Sequence, residues 1–334
     1  MSTHHIWIVS PASARANNGN WQSASRWARF LRTRYRVSIS QQWPDSGTGA
    51  GALPPPDLLI ALHARRSAPS LDAYTQAFPQ RPSILLLTGT DLYRDIHTDD
   101  SAQRSLRQAG ALVLLQPAGL DALPAPLRAK ASVIFQSAAT LRPAAQGSRR
   151  HLDVCMIGHL RTEKDPLTFM RAATLVTAPA ARLVHIGGAL EPSLEQAALA
   201  TQAAHSRYRW LGALPHGATR QRLKRSRLMA ITSQMEGGAN VIIEAVCSGV
   251  PVLASDISGN RGMLGDDYAG YFPAGDAAAL AHLIDRSLAD PDYYELLRAQ
   301  CDARAPLFAP AAEQAALLEL VDNLLHKANL GMTS

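Results

Sequence analysis

The 334-residue chain, 47% hydrophobic and 6% aromatic, reads as an ordinary soluble protein long enough for two domains with separate cores. No apolar run approaches the ~20 residues of a membrane span, which argues against a membrane-embedded class. The net charge of +6 is uneven: residues 1–150 hold 17 Lys and Arg against 8 Asp and no Glu, whereas residues 151–334 hold 16 against 19 acids.

The start, His4 to Ser10, combines too short an apolar stretch for a signal peptide with no cationic leader, so the protein is expected in the cytoplasm. Ile6 to Val9 reads as a strand, Pro11 to Asn20 as a loop ending in Asn17-Asn18-Gly19-Asn20, and about Trp21 to Arg34 as a helix. Further strands are expected at Val37 to Ser40, Leu58 to Leu62, Ile84 to Leu87, Leu112 to Leu115 and Ser132 to Gln136. Leu141 to Arg150 is polar, with Pro, Gly and Ser, and reads as a linker. Strand candidates resume at Leu152 to Ile157, Leu183 to Ile186, Tyr208 to Leu211, Leu228 to Thr232, Val252 to Ala254 and Gly270 to Phe272. Helices are expected at 166–176, 217–225, 239–248 and about 310–328. This alternation predicts an α/β chain of two Rossmann-like doubly wound domains facing across a cleft. Their expected bounds are 1–147 and 148–305, with a C-terminal helical segment, 306–334, packing back across the junction.

The chemistry is densest in Glu236-Gly237-Gly238-Ala239-Asn240, which runs into an apolar helix carrying Glu244. A helix starting near Gly238 would present free amides and the positive end of its dipole to a diphosphate, with Glu244 about two turns in. Two carboxylates beside bare amides suit a nucleotide sugar, because hydroxyls need acceptors and phosphates need donors. Two solvated glutamates and a capping turn are the plainer alternative. After the first strand of the second half come Arg161 and Lys164, a planar fork and a point charge that together suit one diphosphate. A surface turn with Lys164 paired to Asp165 is the alternative there.

The basic first half is suited to an anion. It has no zinc-finger spacing or aromatic-basic ribonucleoprotein motif, so a small phosphorylated ligand is expected rather than nucleic acid. An arginine-rich composition without function is the other explanation. Cys155, Cys247 and Cys301 are few and far apart and are expected as buried free thiols. Asp99-Asp100 and Asp266-Asp267 are adjacent acids without convergent partners, and no metal site is expected from them.

Gly158 to Asp165, the Glu236 to Glu244 element and Gly249 to Ser255 resemble the donor half of the family 4 glycosyltransferases, which have the GT-B fold. The resemblance covers most of 151–305. It implies that Arg161 and Lys164 hold the donor diphosphate, that Glu236 lies by the donor sugar and that Glu244 binds ribose hydroxyls. It further implies that amides from Gly237, Gly238, Ala239 and Asn240 contact sugar and phosphate, and that a first loop ending at Gly19 closes over the diphosphate. Ala239-Asn240 departs from the usual glycine and aliphatic pair, and Thr88-Gly89-Thr90-Asp91 stands where many members carry a histidine. His63, after the third expected strand, is a candidate for that place, or simply an orienting histidine.

A narrower resemblance spans nearly the whole chain. Gly19-Asn20 with Arg26-Trp27-Ala28, Ala61 to Ser67, Leu87 to Asp95, Gln136-Ser137 and Arg207 to Gly212 resemble the selenosugar synthases of selenoneine biosynthesis. That group joins UDP-N-acetylglucosamine or UDP-glucose to selenophosphate, giving a 1-selenosugar, UDP and phosphate. A phosphorylated acceptor needs cationic forks, and Arg15, Arg26, Arg65, Arg66 and Arg94 all fall at or near loops following the strands of the first half; Arg15, Asn20, His63, Arg65, Arg66, Thr90, Asp91 and Arg94 are the expected acceptor contacts. Glu236, Lys164, Arg161 and His63 are the expected catalytic groups. No cofactor and no strict metal requirement is expected; the expected partners are the UDP-sugar, selenophosphate and enzymes supplying it, with no nucleic acid and no membrane. A family 4 transferase with a carbohydrate, lipid or thiol acceptor is the enzymatic alternative. A nucleotide-sugar sensor without catalysis is the alternative of another class.

Overall fold

A computed structural model of the chain describes residues 4–12, 19–45, 54–141 and 151–331. Packing divides the chain into two compact units, Met1–Gln136 with Pro310–Ser334, and Ser137–Ala309. Each unit is built on its own six-stranded parallel sheet.

The first sheet contains β1 (His5–Val9), β2 (Arg36–Ser40), β3 (Leu58–Leu62), β4 (Ser83–Leu86), β5 (Ala111–Leu114) and β6 (Ala131–Val133). Their order is β2-β1-β3-β4-β5-β6. β1, β3, β4 and β5 are buried along their whole length, the state that continuous apolar runs dictate for a parallel sheet covered on both faces. Alternation then sorts the side chains. Ile6, Ile8, Leu58, Ile60 and Leu62 pack with Trp27 and Leu31 of the helix Gly19–Leu31 and with Leu317, Val321 and Leu325 of the helix Pro310–Gly331. Trp7, Val9, Leu59 and Ala61 point to the other face, against Leu71 and Tyr74 of the helix Ala68–Ala77 and Leu106 of the helix Asp100–Gln108.

The C-terminal helix is thus a structural layer of the first unit. It is fastened there by Glu313, whose side chain is fully buried. Glu313 accepts from Arg26 Nε at 2.7 Å and from Trp27 Nε1 at 2.8 Å. Arg26 therefore lies within a helix and is committed to an internal ion pair, which corrects its expected place among loop cations for the acceptor.

The second sheet contains β7 (Leu152–Ile157), β8 (Ala181–Ile186), β9 (Tyr208–Trp210), β10 (Leu228–Ile231), β11 (Val252–Ser255) and β12 (Tyr271–Phe272), in the order β12-β11-β10-β7-β8-β9. Cys155, Cys247 and Cys301 are buried free thiols.

The division between the units falls at Gln136, ahead of the expected 147, because residues 138–141 are hydrogen-bonded into the second unit. Ala138 N–H donates to Phe308 O at 3.3 Å, Leu141 N–H to Cys247 O at 2.9 Å, and Arg220 Nη2 to Ala139 O at 2.6 Å. Most of the expected linker, 142–150, lies outside the described residues. No helix among the described residues is long and apolar enough to cross a membrane.

Candidate functional site

In the second sheet β7 and β10 are neighbours, and the chain leaves them toward opposite sides: β7 leads on to β8, β10 on to β11. Such a reversal opens a crevice at the carboxyl ends of the two strands, the place where open parallel sheets bind ligands. The loops that follow these two strands carry the sequence-predicted donor residues.

After β7, Gly158 is held on both sides. His185, fully buried on β8, uses Nε2–H to donate to Gly158 O at 3.0 Å, while its Nδ1 lies 3.1 Å from the Tyr208 hydroxyl. Burial pushes this imidazole down to about 4, so it is neutral and acts as a fixed donor. Gly187 approaches so closely that a Cβ there would lie 1.8 Å from Gly158 O. His159 Nδ1 accepts from Gly188 N–H at 3.0 Å, its basicity lowered by burial and by Arg161. Arg161 follows in extended backbone, and its side chain makes no hydrogen bond among the described residues. A short turn, Thr162–Lys164, leads to Asp165, which adopts a left-handed φ of 42°. Asp165 caps the helix Pro166–Leu175 by accepting from Thr168 N–H and Thr168 Oγ1. It is therefore a helix cap and not the partner of Lys164.

That partner is Glu236. Lys164 Nζ donates to Glu236 Oε1, which also accepts from Ser233 Oγ at 2.6 Å. Glu236 is 9% exposed. Thr232 Oγ1, just beyond β10, fixes the other side of the pair by donating to Lys164 O and Asp165 O at 2.8 and 2.9 Å. Beneath Glu236 the backbone of Gly259 comes so near that a Cβ would stand 2.0 Å from Glu236 O. Ser255 Oγ donates to Ser233 O at 2.6 Å and in turn lies beside the Asn260 amide.

The helix after Glu236 begins at Asn240, not Gly238, and runs to Val246. Its cap Ala239 supplies no side-chain hydrogen bond, and the N–H groups from Gly237 to Val241 find no acceptor among the described residues. Because the helix starts late, Glu244 lies about one turn in rather than two. Its Oε1 is 2.7 Å from His216 Nε2, at the start of the helix His216–Lys224. This pairing raises the basicity of His216, chiefly through the hydrogen bond to Glu244.

The first unit reverses direction between β1 and β3, and His63 directly follows β3. Its φ of 74° is left-handed, a strained state for a residue with a side chain. The imidazole is 2% exposed. Arg66 N–H donates to its Nδ1 at a long 3.4 Å, and its Nε2 lies 3.3 Å from Thr90 Oγ1. Burial keeps His63 neutral more strongly than Asp91 and Asp95, about 4 Å away, favour its charge. The Nδ1 lone pair is thus turned to the Arg66 amide.

Asp91 is an internal cap: its carboxylate accepts from Ala64, Thr88 and Gly89 N–H, each at 2.9 Å. Asp95 binds Arg65 Nε at 2.8 Å and Arg94 Nε at 3.2 Å, so two of the expected acceptor cations share one buried acid. Arg66 is exposed beside them. Gly19 and Asn20 open the first helix instead of closing the preceding loop, and Arg15 lies outside the described residues.

Sequence reasoning singled out Lys164 and Glu236 but missed Thr232, Ser233, Asp95, His216 and Gly259. Thr232-Ser233 did carry a signal, two hydroxyls ending an apolar strand run. The others become visible only when distant segments meet.

Residues 143–306 match the family model described as Glycosyl transferases group 1. Among solved structures, HepE of Anabaena in complex with UDP and glucose aligns with a TM-score of 0.76 at 17% identity, over 96% of this chain and 100% of that one. Sucrose-phosphate synthase of Thermosynechococcus elongatus aligns equally well, at 0.76 and 17%, over 97% and 100%. A glycosyltransferase of Rickettsia africae gives 0.72 at 15% identity, over 97% and 99%. At these identities the likeness is one of fold. No curated protein matches the chain by sequence.

Proposed function

We propose, from the premise that residues 143–306 are a group 1 glycosyltransferase domain in a chain of GT-B fold, that the protein moves a sugar from a UDP-sugar to selenophosphate. The donor is UDP-N-acetylglucosamine or UDP-glucose, and the products are a 1-selenosugar, UDP and phosphate. One observation carries the donor half of this reading: Lys164 and Glu236 are joined where the second sheet reverses, beside five N–H groups without acceptors among the described residues. Ammonium, guanidinium and amides suit a leaving diphosphate, and carboxylates suit sugar and ribose hydroxyls. HepE of Anabaena, a neighbour in fold, was crystallised with UDP and glucose and with UDP-glucose.

In the reaction a C1–Se bond forms as the C1–O bond to UDP breaks. Arg161 and Lys164 receive the charge that develops on the diphosphate, and Glu236 holds the sugar. The P–Se bond is then hydrolysed by water, releasing phosphate and leaving the selenol on the sugar. Selenophosphate arrives as an anionic nucleophile and needs no base, which agrees with a His63 whose lone pair is already occupied. The exposed guanidinium of Arg66, beside Arg65 and Arg94, suits its phosphoryl group. The choice of selenium rests on the resemblance of Ala61 to Ser67 and Leu87 to Asp95 to the selenosugar synthases.

The test is mass spectrometry of anaerobic reactions containing protein, fresh selenophosphate and either UDP-sugar, with thiophosphate and simple sugars as parallel acceptors. A selenosugar appearing together with UDP is the expected result. Transfer to a sugar alone would overturn the acceptor and retain the donor. A donor left intact in every mixture would overturn transfer altogether.

A further inference from the structure

His216 and Glu244 come from segments 28 residues apart, yet meet at 2.7 Å through Nε2 and Oε1. The carboxylate is largely buried, at 13% exposed, while the imidazole stands 48% open to solvent. Only Oε1 is engaged, so Oε2 has no hydrogen-bond partner among the described residues. A carboxylate fixed at one oxygen has a fixed direction for the other, and an acceptor of set direction is what a pair of ribose hydroxyls requires. The charged groups that face the imidazole are Glu244, from the helix packed against it, and Arg220, one turn along its own helix. Cys247, at the end of the Glu244 helix, carries a thiol that burial keeps protonated.

We propose that His216 is a positioning residue for Glu244, aiming its carboxylate at the ribose of a nucleoside diphosphate and making nucleotide affinity fall as the imidazole loses its charge. The inference rests on the donor-site reading given above. Protonated, His216 adds a cation near a polyanionic ligand and strengthens its hydrogen bond to the carboxylate. Neutral, it keeps the hydrogen bond and loses the charge. The Glu244 hydrogen bond raises the imidazole's basicity, so this loss falls above the ordinary histidine range.

Calorimetric titration of the full chain with UDP and with 2′,3′-dideoxy-UDP, at about pH 6 and about pH 8.5, tests it. The variants are His216→Gln, which retains a donor without charge, and His216→Ala. Wild-type Kd for UDP should rise between the two pH values by about 3-fold or more relative to His216→Gln, a comparison that cancels the titration of the ligand's own phosphate. At about pH 8.5, where the imidazole is largely neutral, His216→Ala should weaken UDP while leaving dideoxy-UDP nearly unchanged, and His216→Gln should restore much of that loss; at about pH 6 both nucleotides weaken, UDP more. Parallel pH dependence in wild type and His216→Gln, or equal losses for both nucleotides, would overturn the positioning role while the donor site stands. Failure of the wild type to bind UDP at either pH would overturn the donor-site reading and this inference with it.

Discussion

Lys164 and Glu236, 72 residues apart in the chain, form an ion pair at the reversal point of the second sheet, with Ser233 donating to the same carboxylate oxygen. Both partners are mostly buried, at 17% and 10% side-chain exposure, so neither behaves as a surface charge. Replacing Lys164 or Glu236 by Ala should lower kcat by about 100-fold or more, the scale of removing one group that stabilises a developing charge. Far-UV circular dichroism should keep its wild-type shape, while the melting temperature falls because each variant leaves a mostly buried charge unpaired. Near-normal turnover in either variant would remove both residues from the site.

Gly259 offers an independent handle on the same carboxylate. A methyl group there would stand 2.0 Å from Glu236 O and 3.1 Å from Glu236 Cβ, so Gly259→Ala must displace the Glu236 segment. Activity should fall substantially, with an increased donor KM, although residue 259 itself carries no functional group. Unchanged kinetics would mean that the position of Glu236 is unimportant.

Arg65 and Arg66 are both exposed neighbours with different commitments, because Arg65 is paired with buried Asp95 and Arg66 makes no ion pair among the described residues. Arg66→Ala should raise acceptor KM with little change in melting temperature. Arg65→Ala should also destabilise the fold, since Asp95 then retains only Arg94 as a guanidinium partner. Steady-state kinetics with each substrate varied, together with thermal melts, separates the two. Equal effects on donor and acceptor KM would count against an anion pocket at this place.

Stability should depend on pH through His185. Unfolded, this imidazole titrates near its ordinary 6.5; folded, burial holds it to about 4. Protons therefore prefer the unfolded chain between those values. The His185 contribution is intact above about pH 6.5, is lost as pH falls, and levels off near pH 4, having cost about 3 kcal/mol. His63, also held neutral by burial, acts in the same direction. Urea denaturation from pH 7.5 to 4.5 should show a shallower decline for His185→Gln than for wild type. Identical slopes would remove His185 as the titrating group.

Glu313→Ala should destabilise the first unit by about 3 kcal/mol, the scale of breaking a buried ion pair, because the Arg26 guanidinium and the Trp27 N–H lose their acceptor together. Glu313→Gln should cost less, since the amide oxygen still accepts from Trp27. Chemical denaturation followed by tryptophan fluorescence would reveal the order of the two variants.

The strands were the legible part of this fold. Leu58–Leu62 was readable to the residue, because a strand buried on both faces must be apolar at every position; Leu152–Ile157 was read with the right bounds too, although Asp153 interrupts it and only Val154 to Met156 are buried. The last strand of the first sheet was overread: Ser132 to Gln136 looks equally extended, but only Ala131–Val133 pairs with β5. At the candidate site, Lys164 and Glu236 were legible from local spacing. Their meeting was not, nor were the partnerships of Arg26 with Glu313, Arg65 with Asp95, and Glu244 with His216. Each joins segments far apart along the chain, and local pattern holds no information about which loops the sheet order brings together.

The placement of the final helix also sets an order of assembly. The second unit is a single continuous stretch, 137–309, and is complete when its last strand and helices have left the ribosome. The first unit has all its strands earlier, yet Trp27, Leu31 and their neighbours await Leu317, Val321 and Leu325, which are made only after the whole of the second unit. During translation the amino-terminal sheet therefore exposes an apolar face while the later-made unit folds, reversing the usual precedence of first-made domains. A nascent chain stalled before Pro310 would present that face to chaperones, and emergence of the helix Pro310–Gly331 closes it.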